Sequence, residues 1–333
     1  MEINQGFKLA ALGIILLLLI TGCSQKGPQQ LEKIVIGPVS SVNSAPIRVA
    51  ENKGYFREEG LMVEIKESPS GPAALQTLLD DKAIDLATAA QMPIVIKSFH
   101  RNDYVIIGVM STSDNDHHIL AMRDRGITAP KDLKGKSVGT RVGSSGHFFL
   151  GLFLTYHQMR MSNIKIIDLE MTRLSAALLQ GQVDAIASFE PYIYQARKAL
   201  GDKALLFPSQ GLFRDDVYFV TRKDYLKDHT EALKRFLRAI EKADSFIFEN
   251  KEEALEIVGQ KLKMDKEGLK PIWSDLVFKL FLDQSVLISL EDQARWAIRN
   301  KLTGAEKVPN YLDYIYPDLL KAVKPEAVKI AGK

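Results

Sequence analysis

The sequence predicts an α/β protein folded as two lobes, and three observations predict it. Short apolar strands alternate with helix-like segments over most of the chain, the alternation restarts near His117, and a long amphipathic helical stretch follows Thr221. Such alternation argues for mixed, mostly parallel sheets flanked by helices.

The first residues read as a leader, not as part of the fold. Lys8 follows a short polar start, Leu9 to Ile20 is almost wholly apolar, and Ile20-Thr21-Gly22 closes the run ahead of Cys23. The run is shorter than the roughly 20 residues a helix needs to span a bilayer, so residues 1–22 are expected to be a signal peptide. Cys23 is the only cysteine, which excludes an intramolecular disulfide. Its setting resembles a bacterial lipobox, in which the cysteine is acylated and becomes the new N-terminus. Residues 23–31, with Gln, Ser, Gly and Pro, read as a tether too polar to fold.

Composition narrows the partners. Glu2 and Lys8 cancel when the leader is removed, so the formal charge stays at +3. Lysines and acids are interspersed without a basic block, which argues against nucleic acid as a partner. Roughly three hundred residues remain, enough for two lobes with their own cores.

The first lobe, residues 32–116, opens with a strand at Leu31 to Gly37. A helix over Ser44 to Gly54 follows, with Ser44 as cap. Leu61, Val63 and Ile65 alternate with Met62, Glu64 and Lys66 as a strand requires, and Ser70-Gly71-Pro72 starts a helix over Ala73 to Asp80. Ala83 to Ala87 reads as a short strand, Pro93 opens a helix, and Tyr104 to Met110 is a strongly apolar strand. In the second lobe, residues 117–215, Lys136 to Thr140, Ile164 to Leu169 and Val183 to Ser188 read as strands. Helices are expected over His147 to Gln158, Arg173 to Gln180 and from Pro191. The return segment, residues 216–333, begins with a strand over Asp216 to Thr221. Nearly continuous helix from Tyr225 to Lys263 and further helices to Leu302 then follow. Phe236, Leu237, Ile240 and Ala243 share one helix face and are expected in the core.

Several segments, taken in order, carry a family resemblance. Ala45-Pro46-Ile47 through Gly54-Tyr55-Phe56 to Glu59-Gly60-Leu61 is similar to the "API…GYF…EGL" signature of binding proteins for nitrate, sulfonates, taurine and thiamine-pyrimidine precursors. Ser70-Gly71-Pro72-Ala73-Ala74, Ala83 to Ala87, Leu133 to Gly139 and Val183 to Ala187 with Glu190-Pro191-Tyr192 follow in the family's sequence. The resemblance covers essentially the whole chain after the leader. It implies a type II periplasmic binding protein fold, two lobes joined by a two-strand hinge, with the C-terminal helices returning to the first lobe. It further implies a small-molecule ligand delivered to an ABC transporter permease from a lipid-anchored, extracytoplasmic position. A monomer without enzymatic activity, cofactor or metal is expected.

In open α/β sheets ligands lie beyond the C-terminal strand ends, where helix N-termini offer free N–H groups and partial positive charge. That places Ser41, Asn43 and Ser44 after the first strand, and Ser70 and Gly71 before the second helix. Gln91 and Met92 stand before Pro93, and Gly143, Ser144, Ser145 and His147 in the other lobe. Ser113 sits at the exit of an apolar strand, as ligand contact or hinge. Glu190 admits two readings: its carboxylate pairs with a ligand amine or amidine, or it caps the following helix. Phe189, Tyr192, Tyr218 and His147 are candidates for aromatic walls. His117-His118 with Asp114 and Asp116 invites a metal reading, but adjacent strand residues point to opposite faces, so no metal site is expected. No Ser-His-Asp order, cysteine nucleophile or cysteine-rich iron motif supports the rival reading, an enzyme on the same fold. A ligand sensor serving a membrane kinase is a second rival.

Overall fold

The computed structural model describes residues 31–331. The leader, the lipidation site at Cys23 and the tether as far as Gln30 lie outside the described residues. The chain runs through β1 (Glu32–Gly37), a 3-10 turn (Val42–Ser44), α1 (Ala45–Asn52), α2 (Tyr55–Glu58), β2 (Leu61–Ile65), α3 (Gly71–Leu79), β3 (Leu86–Ala90), α4 (Gln91–Ser98) and β4 (Tyr104–Ser113). It continues through β5 (His117–Met122), β6 (Ser137–Thr140), α5 (Ser145–Tyr156), β7 (Lys165–Asp168), α6 (Met171–Leu179), β8 (Ala185–Phe189), α7 (Tyr192–Leu200) and β9 (Ala204–Leu206). The last part holds β10 (Asp215–Arg222), α8 (Lys223–Asp228), α9 (Thr230–Glu249), α10 (Lys251–Leu262), α11 (Lys266–Ser274), β11 (Leu276–Asp283), α12 (Gln284–Arg299), α13 (Asp318–Val323) and β12 (Val328–Lys329).

These strands form two sheets. The larger has seven strands in the order β12-β11-β4-β10-β3-β1-β2, and the smaller has five in the order β7-β6-β8-β5-β9. The chain passes between them at 114–116, from β4 to β5, and at 207–214, from β9 to β10. Both sheets are mixed. β1 pairs with β2 and β3 in parallel, and β6 with β7 and β8, as right-handed crossovers through helices produce. The strands flanking the two passages run the other way: β10 is antiparallel to β3 and β4, and β5 to β8 and β9.

The core shows why the chain closes this way. Phe236, Leu237, Ile240 and Ala243 of α9 are fully buried, as their helical spacing requires. Phe236 stacks on Phe56 of α2 at 5.4 Å between ring centroids and meets Phe219 of β10 edge-on at 5.1 Å. Each such ring removed from water contributes roughly 1.5–3 kcal/mol, which holds the late helices against the seven-stranded sheet.

Three expectations need correction. The helical stretch 225–263 is broken at His229 and Asn250, whose backbones leave the helical region (ψ 29° and 50°), giving α8, α9 and α10. Leu276–Asp283, expected as helix, is a strand: Leu276, Leu280 and Leu282 lie on its buried face at the even spacing of a strand, and its pairing with β4 carries a register shift between Phe278 and Phe281. The third strand lies at Leu86–Ala90 rather than Ala83–Ala87; its alanines have weak strand preference, and pairing with β1 and β10 places it.

Candidate functional site

A cavity with about 370 Å³ of empty volume lies where strand ends of the two sheets approach each other. The seven-stranded side supplies Val39, Ser41 and Asn43 after β1, Gly71 and Pro72 at the start of α3, and Ala90 and Pro93 around the start of α4. The five-stranded side supplies Ser144 and Ser145 at the start of α5 and Phe189 at the end of β8. Asp116 enters from one passage, and Asp215 and Val217 from the beginning of β10. The helices meet the cavity with their N-terminal ends. Ser70 Oγ accepts from the N–H of Ala73 at 3.4 Å and Ser144 Oγ from the N–H of His147 at 3.3 Å. Helix geometry leaves earlier N–H groups without intrahelical partners.

Six expected residues therefore line the cavity: Ser41, Asn43, Gly71, Ser144, Ser145 and Phe189. The others lie elsewhere for identifiable reasons. Ser44 is fully buried, and its hydroxyl donates to Val39 O at 2.6 Å instead of capping α1. Ser70 is spent on its helix cap. Gln91 is buried, its Nε2 donating to Arg214 O and Ser289 Oγ, both at 3.1 Å, and Met92 is core. Ser113 accepts from the N–H of Asn115 at 3.1 Å. Gly143 lines an adjoining cavity with Arg141 and Glu170, and its N–H donates to His147 Nδ1 at 3.3 Å. Tyr218 is fully buried within the larger sheet. Glu190 lies outside the cavity lining: its Oε2 accepts from the N–H of Tyr194 at 2.8 Å, so it caps α7.

The electrostatics of the wall are acidic. Asp116 Oδ2 accepts from Asn43 Nδ2 at 3.1 Å, and Asn43 Oδ1 accepts from Ser111 Oγ at 2.9 Å. Asp116 Oδ1 and Asp215 Oδ1 are buried with no hydrogen-bond partner. Burial, reinforced by the Glu190 charge, pushes Asp116 up to about 8, and burial with the nearby Asp116 carries Asp215 well above the usual carboxylate range. Glu190 is raised by burial to about 7. His117 shares a hydrogen bond with Ser145 Oγ through Nε2 at 2.8 Å, its Nδ1 is unpartnered, and burial pushes it down to about 3. His118 faces the other way, bonded to Ser209 Oγ at 2.9 Å. Acceptor atoms of Asp116, His117 and Asp215 all lie within 4.8 Å of one another, the tightest group of potential cation ligands among the described residues. No lysine or arginine lines the cavity among the described residues.

Contacts reach across the cleft. Tyr192 of α7 donates from Oη to Pro69 O at 3.0 Å. Tyr194 Oη and Lys198 Nζ reach Asp265, ahead of α11, at 2.6 and 2.9 Å. Trp296 of α12 packs edge-on against His147 and Phe148 of α5, at 5.4 and 5.2 Å. Gly151 faces the same indole. Asp215 and Trp296 are the site features sequence reading did not reach, and it singles out Asp116 only beside the histidines, in a metal reading that it sets aside. The available signal was a pair of acids, Asp215-Asp216, opening an otherwise apolar strand.

Two sheets with a cavity at facing strand ends make up the periplasmic binding protein fold, and solved structures share it. The alkanesulfonate-binding protein SsuA from Xanthomonas axonopodis pv. citri, bound to MOPS, superposes with a TM-score of 0.74 at 20% identity, covering 91% of this chain and 99% of that one. The chain belongs to the family described as NMT1/THI5 like, which matches residues 41–254. A Bacillus subtilis (strain 168) protein named "Putative aliphatic sulfonates-binding protein" is 28% identical over 267 residues, 78% of this chain and 80% of its own length. An Aspergillus parasiticus protein named 4-amino-5-hydroxymethyl-2-methylpyrimidine phosphate synthase is 23% identical over 288 residues, 80% of this chain and 77% of its own.

Proposed function

We propose that this chain is an extracytoplasmic solute-binding lipoprotein that captures a small polar organic solute and delivers it to an ABC importer. The observation that carries the reading is the cavity lined from both sheets, with contacts bridging its two sides. In this reading residues 1–22 are the signal peptide, 23–31 the tether, 32–116 and 216–333 one lobe and 117–215 the other. The passages at 114–116 and 207–214 form the hinge. A solute shifts the open–closed balance only by binding the two forms differently, so a cavity with walls from both lobes is what such a device needs. The closed form is then what the permease recognises, and Cys23 holds the monomer at the membrane by its acyl chains. Among the described residues no helix is long and apolar enough to cross a membrane.

The name of the Bacillus subtilis relative supports a sulfonate-type solute, and that of the fungal one a pyrimidine. An enzymatic role is disfavoured because no cysteine follows Cys23, which leaves no cysteine-rich iron motif. The test is a thermal-shift screen over sulfonates, nitrate, amines, pyrimidines and amino acids. A true ligand at 1,000 times its dissociation constant adds about 4 kcal/mol of stability. Cys23→Ser should release the protein from the membrane fraction without altering ligand response. A screen in which every solute leaves the melting curve unmoved would refute the reading.

A further inference from the structure

We infer that the solute carries a protonated amine or amidine, seated against Asp116 and Asp215. The inference rests on the solute-binding reading and names the chemistry of its guest. Two acidic side chains face one cavity, each with an oxygen that is buried and unpartnered, and the described lining contains no lysine or arginine to answer them. Asp215 and Asp116 are each only 3% exposed. A buried polar oxygen without a partner is costly, and burial favours the protonated acids while the cleft is empty. A guest that brings N–H donors and positive charge gives both oxygens a partner and favours their ionised form. A guest that brings only an anion supplies neither.

The spacing and the apolar wall agree with an organic cation. Acceptors about 2.9 Å from one ammonium nitrogen stand about 4.7 Å apart around a tetrahedron. One polar atom each of Asp116, His117 and Asp215 lies within 4.8 Å of the other two, close enough for the two acids to share one such nitrogen. Val39, Pro72, Pro93 and Val217 wall the same cavity with apolar surface, which suits the carbon part of an organic guest and does nothing for a bare ion. Asn43, held between Ser111 and Asp116, fixes one carboxyl oxygen of Asp116 and leaves the other without a partner. The first N–H groups of α3 and α5 remain for a polar or anionic far end of the same molecule, so a zwitterion is accommodated as readily as a simple cation.

The test uses the purified protein and matched probes that differ in the cationic group: taurine against isethionate, benzamidine against benzamide, and butylamine against butan-1-ol. Zinc chloride is run alone. Calorimetry and melting should show at least one amine binding ten times or more tighter than its amine-free partner. Asp116→Asn and Asp215→Asn should each abolish most of that preference while melting no lower than the parent when ligand-free. An amine-free sulfonate that binds as tightly as its amine partner, in parent and both variants, overturns the inference and leaves the solute-binding reading standing. A shift produced by zinc alone, with none from the amines, also overturns it. Silence from every probe counts against the inference and the broader reading alike. The parent's amine preference decides the matter even where a variant fails to fold.

Discussion

Gly151 of α5 offers a direct test of whether the two sides of the cleft part and close. A Cβ at this position would sit 2.5 Å from Trp296 Cζ2 and 2.9 Å from Cε2 and Nε1. Carbon contacts that short do not persist, so something must move. The indole has little room, because it is only 7% exposed and lies edge-on to both His147 and Phe148. Gly151→Ala should therefore cost the closed form about 1–3 kcal/mol, the usual range for overpacking. An open form has no indole at this place, and there alanine in mid-helix gains roughly 0.5–1 kcal/mol over glycine. The closed state then loses about 1.5–4 kcal/mol against the open one, equal to about a 10- to 700-fold drop in affinity. Ligand-free melting should stay level or rise. Titration calorimetry measures the first effect, and Trp296 emission, with Trp273 replaced by Phe, reports the second side of the cleft. A variant that binds as well as the parent refutes the reasoning. So does one whose affinity and ligand-free stability fall together, since that would make the α5–α12 contact permanent.

Other outcomes follow from the same geometry. Asp116 and Glu190, raised to about 8 and 7, hold protons in the folded chain that the unfolded chain has lost. The stability they contribute is complete below the ordinary carboxylate range and lost as pH rises through 7 and 8; melting curves from pH 6 to 9 should fall, and Asp116→Asn should flatten the fall. His117, His118 and His147, lowered to about 3, 4 and 4, act in the opposite sense, their contribution shrinking as pH drops below about 6.5. Glu190→Gln should leave affinity within twofold, because an amide oxygen still accepts from Tyr194 N–H, whereas Glu190→Ala should lower the melting temperature by the loss of a cap, about 0.5–2 kcal/mol. Tyr192→Phe removes the bond to Pro69 O across the cleft and should weaken binding about 2- to 13-fold, the equivalent of 0.5–1.5 kcal/mol, with unaltered ligand-free melting.

Much of the fold was written in local pattern. The alternation of Leu61, Val63 and Ile65, the Ser70-Gly71-Pro72 helix start and the apolar face of α9 each declare their element without help from distant residues. Leu276–Asp283 did not, because it stands between helices in the sequence and is placed by pairing with β4, a strand far away along the chain. The site divided along the same line. Ser41, Gly71, Ser144 and Ser145 stand at loop and helix starts that sequence exposes, and they line the cavity. Asp116 and Asp215 are 99 residues apart and meet only because β10 and the end of β4 return to the same place, which no local window contains. Glu190 showed its position but not its direction. Whether its carboxylate turned to the cleft or to Tyr194 depended on one rotamer that burial selects.

The acids that face the guest stand where the chain passes between the sheets: Asp116 ends the first passage and Asp215 follows the second. Recognition and bending thus share the same few atoms. In the proposed device no relay is required from pocket to pivot, because whatever neutralises these oxygens also sets the angle at which the molecule comes to rest.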